Sequence, residues 1–256
     1  MQKSRKKEIL KRLRVSFAIT LSILFVYFLF FEVIIPDPKF LPRPSVIFEA
    51  FPSLWSDYHL PSRFAVTFSV VYFSLFGSYI LLHLMRVGII KFHYLFPELL
   101  KLPNVLRYFP TFFFMLLFAH WFGGNTLAEF AFGFIYAFVI LVLALLREIP
   151  NVKQEYLDAA KSLKPSYHSL ISDVIWKYCQ PVVSGKAEDL HYSIWIVVMI
   201  YEILAQENGI GSIYFEALKY KDLPVIILLG ILMSFVILFG KIVIKRIEEK
   251  IVFWES

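Results

Sequence analysis

Residues 223–243 read LPVIILLGILMSFVILFGKIV, an apolar run whose one charge, Lys241, comes close to its end. Roughly 20 such residues make a helix that crosses the ~30 Å hydrocarbon core of a bilayer, where backbone polar groups must be satisfied within their own segment. Working back towards the N-terminus, comparable runs cover 15–35, about 64–84, about 108–122, about 127–146 and about 182–205, so about six spans are predicted. The third region, between Phe92 and Phe122, is interrupted by Pro97, Pro103 and Pro110. It reads as a short surface helix followed by a span from about Tyr108. No strand-like alternation persists far enough to build a barrel. The expected fold class is therefore all-α, a polytopic transmembrane helical bundle.

The composition agrees. Of the 256 residues, 59% are hydrophobic and 18% aromatic, with mean hydropathy +0.67, more apolar surface than a soluble domain of this length can hide. The formal charge of +6 is not read as a nucleic-acid signal, because in a membrane protein Lys and Arg mark the cytoplasmic side. The single cysteine, Cys179, excludes an internal disulfide and a Cys-rich metal site, and reads as an ordinary residue at the membrane surface.

Charge also orients the spans. Residues 1–14 carry Lys3, Arg5, Lys6, Lys7, Lys11, Arg12 and Arg14, and 15–35 follows without an A-x-A-like cleavage site, so it is expected to be a retained first span. Arg86 and Lys91 fall after the second span, and Arg147, Lys153, Lys161 and Lys164 after the fourth. Lys241, Lys245, Arg246 and Lys250 end the chain on the same side. The opposite loops are poorer in basic residues, so both termini are expected in the cytoplasm. The organisation expected is a basic cytoplasmic tail (1–14), a first transmembrane helix (15–35) and a larger transmembrane domain (36–256).

Residues 147–180 are mostly polar and lie between two spans on the cytoplasmic side. Val152, Tyr156, Ala159, Ala160 and Leu163 recur at helical spacing, Pro165 interrupts, and Ser166 or Ser169 is placed to start a second helix. Composition alone leaves a docking element and a plain connecting helix about equally supported.

Four stretches carry a resemblance. They are Phe40-Leu41-Pro42-Arg43-Pro44-Ser45-Val46; Phe109-Pro110-Thr111 with Ala119-His120-Trp121-Phe122-Gly123; Glu155-Tyr156-Leu157-Asp158-Ala159-Ala160-Lys161-Ser162-Leu163; and Trp195 and Glu202 followed by Asn208-Gly209-Ile210-Gly211. In this order they resemble the permease subunits of ABC importers of the nitrate/sulfonate/taurine type, over roughly residue 40 to the C-terminus. The terminal Val252-Phe253-Trp254 is similar too. The resemblance implies a type I ABC importer permease-like fold and a subunit that is no enzyme and holds no cofactor. It implies three kinds of partner: cytoplasmic ABC ATPase subunits that hydrolyse ATP, a second permease subunit, identical or different, and an extracytoplasmic substrate-binding protein. Glu155, Asp158, Ala159, Ala160, Leu163 and Lys164 then form the ATPase-coupling loop, its small alanines allowing close approach to the partner.

Two departures stand beside it. Where the family carries Gly after the two alanines, this chain has Lys164, which tolerates a positive φ poorly. Pro165 also disfavours a helical Lys164, so a bend is expected by another route. At the start of the fifth span the run Gly185-Lys186-Ala187-Glu188-Asp189-Leu190-His191-Tyr192 brings ionisable groups towards the membrane. The spacing permits Lys186 with Asp189 and Glu188 with His191 as i,i+3 pairs. Glu188, His191, Trp195, Met199 and Glu202 share one helical face and are the candidate translocation path. If the span instead starts nearer Tyr192, Lys186 and Glu188 lie at the interface. The solute stays open between an anion, a zwitterion and a neutral heterocycle, and Glu188, Asp189 and Glu202 weigh against a simple anion path.

Other chemistry finds little support. A phosphate-binding Gly-x-x-x-x-Gly-Lys-Ser/Thr motif and a His-Glu-x-x-His motif are both missing from the sequence, so no nucleotide or metal site is expected. Ser184, Ser193 and His191 permit an intramembrane hydrolase without their spacing demanding one. A specialised or degenerate permease partner, a channel and a stand-alone membrane enzyme remain the alternatives. Trp55, Trp121, Trp176 and Trp254 fall where amphipathic rings favour the membrane interface.

Overall fold

The computed structural model describes residues 15, 18–35, 41–97, 110–206 and 208–252. The basic tail and the expectations resting on Phe40, Pro103, Tyr108, Phe109, Phe253 and Trp254 lie outside the described residues. Among the described residues the secondary structure is helical throughout. The elements are α1 (Ala18–Ile34, its last turns a π-helix at Leu29–Ile34), α2 (Pro44–Ser56), α3 (Leu60–Leu95), α4 (Thr111–Phe122) and α5 (Thr126–Glu148). They continue with α6 (Gln154–Ser162), α7 (Trp176–Ala205), α8 (Ile210–Tyr220) and α9 (Leu223–Ile251). Before α7, a short turn at Tyr167–Ser169 and a π-helix at Leu170–Ile175 lead straight into it.

Three helices are long and apolar enough to cross a membrane: α3, α5 with its 3-10 extension to Asn151, and α9. The 30 residues of α7 match them in length, but Lys177, Lys186, Glu188, Asp189 and Glu202 lower its apolar character. Helices α3 and α9 outrun the ~30 Å core, because 36 and 29 residues rise about 54 and about 44 Å. Their outward faces stay apolar and uncovered, as at Phe73, Ile80 and Leu84 of α3 and Phe235, Leu238 and Phe239 of α9.

Helix ends follow local chemistry. Gly123, at φ 65 and ψ −169, closes α4 in a conformation that costs a side chain dearly. Asn125 caps α5 by accepting the Leu127 N–H at 2.9 Å. Ser166 caps the turn before α7, its hydroxyl accepting the Ser169 N–H at 3.1 Å.

The chain divides into two compact units, Met1–Tyr58 with Ala217–Ile231, and His59–Glu216 with Leu232–Ser256. In the first, Glu32 accepts the Ser45 N–H at 3.2 Å and the Tyr27 hydroxyl donates to the Pro42 carbonyl at 2.6 Å, tying α1 to the start of α2. In the second, α3, α5 and α7 pack on one another. Small residues permit the close approach, as expected where apolar lipid supplies no drive for helices to associate. A Cβ on Gly133 would come within 2.6 Å of Ser74 Oγ, and one on Gly77 within 3.2 Å of the Phe134 ring. A cluster of Met115, Phe132, Val197 and Tyr201 fills the seam of α4, α5 and α7, with the rings of Phe132 and Tyr201 stacked, centroids 5.1 Å apart.

Candidate functional site

The polar loop between α5 and α7 carries α6, a nine-residue helix with no buried residue. Glu155, Asp158 and Ala159 are exposed, Ala160 is half-buried, and Leu163 is 83% exposed. Glu155 lies in the first turn and Lys161 in the last, each favourable to the helix dipole. Asp158 accepts from Gln154 Nε2 at 2.8 Å and faces Lys161 at 3.8 Å, an exposed pair of small energetic weight. The loop is anchored from behind. Tyr156 packs on Tyr178 (6.0 Å), Lys91 lies over Tyr167 (5.4 Å), and Arg86 lies over the buried Trp176 (5.8 Å). The Ser169 and then the Ser172 hydroxyl donate to Asp173 at 2.6 and 3.0 Å and hold its carboxyl below the usual carboxylate range.

The bend after α6 does not come by another route. Lys164 itself takes a left-handed backbone, φ 50, ahead of Pro165. A non-glycine residue there costs about 1 kcal/mol, so Lys164→Gly is expected to leave the fold intact and to raise thermal stability by up to that amount. Melting of the purified protein in detergent checks this; a lower melting temperature would show that the lysine side chain outweighs its backbone.

The other candidate residues lie along α7. Lys186 pairs with Asp189 at 2.7 Å, but Glu188 does not pair with His191. It reaches Lys241 of α9 at 2.8 Å. His191, fully buried, is committed elsewhere: the Trp195 indole N–H donates to its Nε2 at 3.0 Å, and the Tyr72 hydroxyl stands 3.2 Å from the same atom. An indole can only donate, so Nε2 is unprotonated and the imidazole is neutral with its proton on Nδ1. Met199 is half-buried one turn beyond Trp195. Glu202 is fully buried and bonded into the chain's own loop, accepting the Thr67 hydroxyl at 2.5 Å and the Gly211 N–H at 2.6 Å. Thr67 in turn accepts the Ile210 N–H at 2.8 Å, and Arg63 beside it bonds Ser212 (3.1 Å) and Glu216 (2.8 Å). The five residues on one helical face thus divide into a charged end at Glu188, a buried aromatic middle at His191 and Trp195, and a loop clamp at Glu202.

Around the charged end lies a cleft of about 790 Å³ between α5, α7 and α9, lined among others by Tyr136, Lys186, Glu188, Asp189, His191, Ser193, Ser234 and Lys241. Residues 100–252, more than half of the chain and all of these positions, match the family model of the binding-protein-dependent transport system inner membrane component. The chain belongs to this family. It is an ABC-type permease component, an integral protein of the inner membrane whose family serves transport and not catalysis. Neither a curated protein nor a solved structure matches the chain.

In this permease component three polar partners escaped sequence reading. Lys241 interrupts an apolar span, a signal that marks a functional group when the charge is inside the membrane; it was read only as part of the basic tail. Tyr72 and Thr67 gave no signal, because a single hydroxyl in an apolar helix is common and their partners lie 119 and 135 residues away in sequence.

Proposed function

We propose that this chain is the membrane-spanning permease subunit of an ABC importer, six-spanned with both termini in the cytoplasm. It forms the translocation path for a small solute and couples to a cytoplasmic ATPase through the loop around 151–168. The observation that carries this reading is α6: a helix with no buried residue, on the basic side of the chain, held from behind by ring contacts while Glu155, Asp158 and Ala159 stay exposed. A helix that buries nothing in its own chain gains little from propensity alone at nine residues. Its preformed, anchored state suits a surface that a partner covers. ATP-driven closure of an ATPase pair would move that surface as a rigid body and bias the pore between outward and inward states. A second permease subunit completes the pore, and an extracytoplasmic binding protein delivers the solute. The four sequence stretches and the exposed loop support the nitrate/sulfonate/taurine type. In that scheme Glu188, His191, Trp195, Met199 and Glu202 belong to the helix that borders the path.

The test is copurification from detergent. The wild-type chain is expected to bring down an ATPase subunit, and Asp158→Lys/Ala160→Trp, which reverses a charge and fills the half-buried alanine position, is expected to lose it while still purifying as a monodisperse membrane protein. ATPase retained at wild-type level by the double variant places docking elsewhere. A wild-type chain that recovers no ATPase makes it a stand-alone membrane protein.

A further inference from the structure

Helix α2 divides its surface into three strips. At about 100° of turn per residue, Phe48, Phe51 and Trp55 fall within about 60° of one another, and all three are exposed, Phe48 by 75%. Ile47 and Leu54, on the next strip round, are buried within the chain. Glu49, Ser53 and Ser56 take the far side, and the two hydroxyls donate to Asp57 at 3.0 and 2.8 Å. On the aromatic strip Phe51 stacks on Trp55, centroids 6.2 Å apart. The 13 residues of α2 rise only about 20 Å, too short to cross a ~30 Å core, so α2 does not place these rings in lipid by spanning.

Both ends of α2 are tied to the ends of apolar helices. At its N-terminus the Ser45 N–H donates to Glu32 Oε2 at 3.2 Å. Glu32 is the one charged residue of α1 and lies two residues from its end, where its carboxylate also suits the positive end of the α2 dipole. Just past the other end, the buried Tyr58 donates its hydroxyl to Asp222 Oδ2 at 3.1 Å. Asp222 closes the polar run Lys219-Tyr220-Lys221-Asp222 and caps α9 by accepting the Val225 N–H at 3.3 Å. Residues 223–240 follow it without a charge, so Asp222 marks where the apolar run of α9 begins. Two tethers at such polar–apolar edges hold a short helix level with them. The neighbouring α1 is apolar and uncovered as well, at Phe25, Phe28 and Val33. Exposed rings with a polar strip opposite are the pattern of a helix that lies in a bilayer interface. We propose that α2 is an in-plane membrane anchor at the Leu223 end of α9, with Phe48, Phe51 and Trp55 in the headgroup–acyl boundary and Glu49, Ser53 and Ser56 towards water. Apolar burial supplies the attraction: the one charge within α2 is Glu49, so anionic headgroups are not what holds it. The anchor is independent of the α6 loop and needs only that α9 crosses the bilayer.

The experiment uses the full chain in lipid. Phe48→Cys, Phe51→Cys, Trp55→Cys, Glu49→Cys, Ser53→Cys and Ser56→Cys are each made in Cys179→Ser, spin-labelled and reconstituted into phosphatidylcholine vesicles. Collision of the label with oxygen, which concentrates among acyl chains, is compared with its collision with a water-soluble nickel chelate. The oxygen-to-nickel ratio is expected to be several-fold higher at the first three positions than at the last three. The same pattern is expected when half of the lipid is phosphatidylglycerol. Trp55→Phe in the otherwise native chain gives a check free of labels: the tryptophan emission that it removes is expected to be quenched by brominated acyl chains. High nickel collision at all six positions would put α2 in water. Low collision with both reagents at the first three would put protein, a second copy or another subunit, on that face. A ratio that rises there only with phosphatidylglycerol would make headgroup charge the cause. Each of these overturns the proposal, as does Trp55 emission that brominated lipid leaves unquenched. Copurification of an ATPase with the same chain reports separately on docking through the α6 loop.

Discussion

Glu202→Ala is expected to destabilise the protein by roughly 2–5 kcal/mol, because it strips two buried donors, the Thr67 hydroxyl and the Gly211 N–H, of their acceptor. Thr67 and Glu202 are both fully buried, and the Thr67 hydroxyl then keeps only a longer 3.4 Å contact with the Arg63 carbonyl. The carboxylate also explains the glycines of Asn208-Gly209-Ile210-Gly211. A Cβ on Gly209 would collide with the Glu202 carboxylate, and one on Gly211 with the Met199 backbone carbonyl and, at 2.6 Å, with Glu202 Cβ. These two collisions separate by experiment. Gly209→Ala meets only side-chain atoms, so its cost of about 1–3 kcal/mol should largely vanish in a Glu202→Ala background. Gly211→Ala meets backbone that cannot give way, so its cost should persist there. Thermal unfolding in detergent for the two singles and the two doubles measures all of this. Equal rescue of both glycines would mean that the loop is held by something other than the Glu202 clamp.

This clamp marks where sequence reading stops. Glu202 and the Gly-Ile-Gly stretch were legible as a motif, and helical phase put Glu202 on the face proposed to border the path. What phase could not supply is the partner: the loop after α7 folds back so that the Gly211 N–H reaches the carboxylate and the Ile210 N–H reaches Thr67, which arrives from a helix far away in sequence. Three of the expected spans, those of α3, α5 and α9, were legible because apolar length is a local property. Their ends were less so: α3 runs to Leu95 and α9 to Ile251, since a helix leaving the bilayer continues while its residues favour it, and hydropathy falls before helicity does. The loop helix at Gln154–Ser162 was legible from its period, and the break after it from Pro165. The route of the bend was misjudged because the penalty on a left-handed lysine is only about 1 kcal/mol, small enough for Lys164 to carry the turn itself. Within the cleft, one pair was local and visible in the sequence, Lys186 with Asp189. The other joins two helices, and a single-helix rule offered Glu188 the wrong partner.

Gly240→Ala is expected to cost about 1–3 kcal/mol and to impair transport by more than its effect on folding. The added Cβ would overlap the Tyr72 hydroxyl and lie 2.6 Å from His191 Nε2, where α9 crosses α3 and α7. His191 cannot swing aside freely: it is fully buried and held by the Trp195 indole at 3.0 Å. The remaining relief is for α9 to move outwards, and the next residue, Lys241, carries the 2.8 Å contact with Glu188. A displacement of α9 by even part of a methyl group's width therefore lengthens the ion pair on the cleft wall. Tyr72→Phe removes one of the two obstacles and His191→Ala removes the other. Each should absorb part of the Gly240→Ala penalty, a coupling of about 0.5–3 kcal/mol in a double-mutant cycle. Stability read by thermal unfolding, and solute-stimulated ATPase read on the reconstituted complex, follow the two consequences separately. If the cycle shows no coupling, Gly240 is small for a reason outside this seam. If stability falls while ATPase stimulation per folded complex is unchanged, the crossing holds the bundle together without setting the geometry of the cleft.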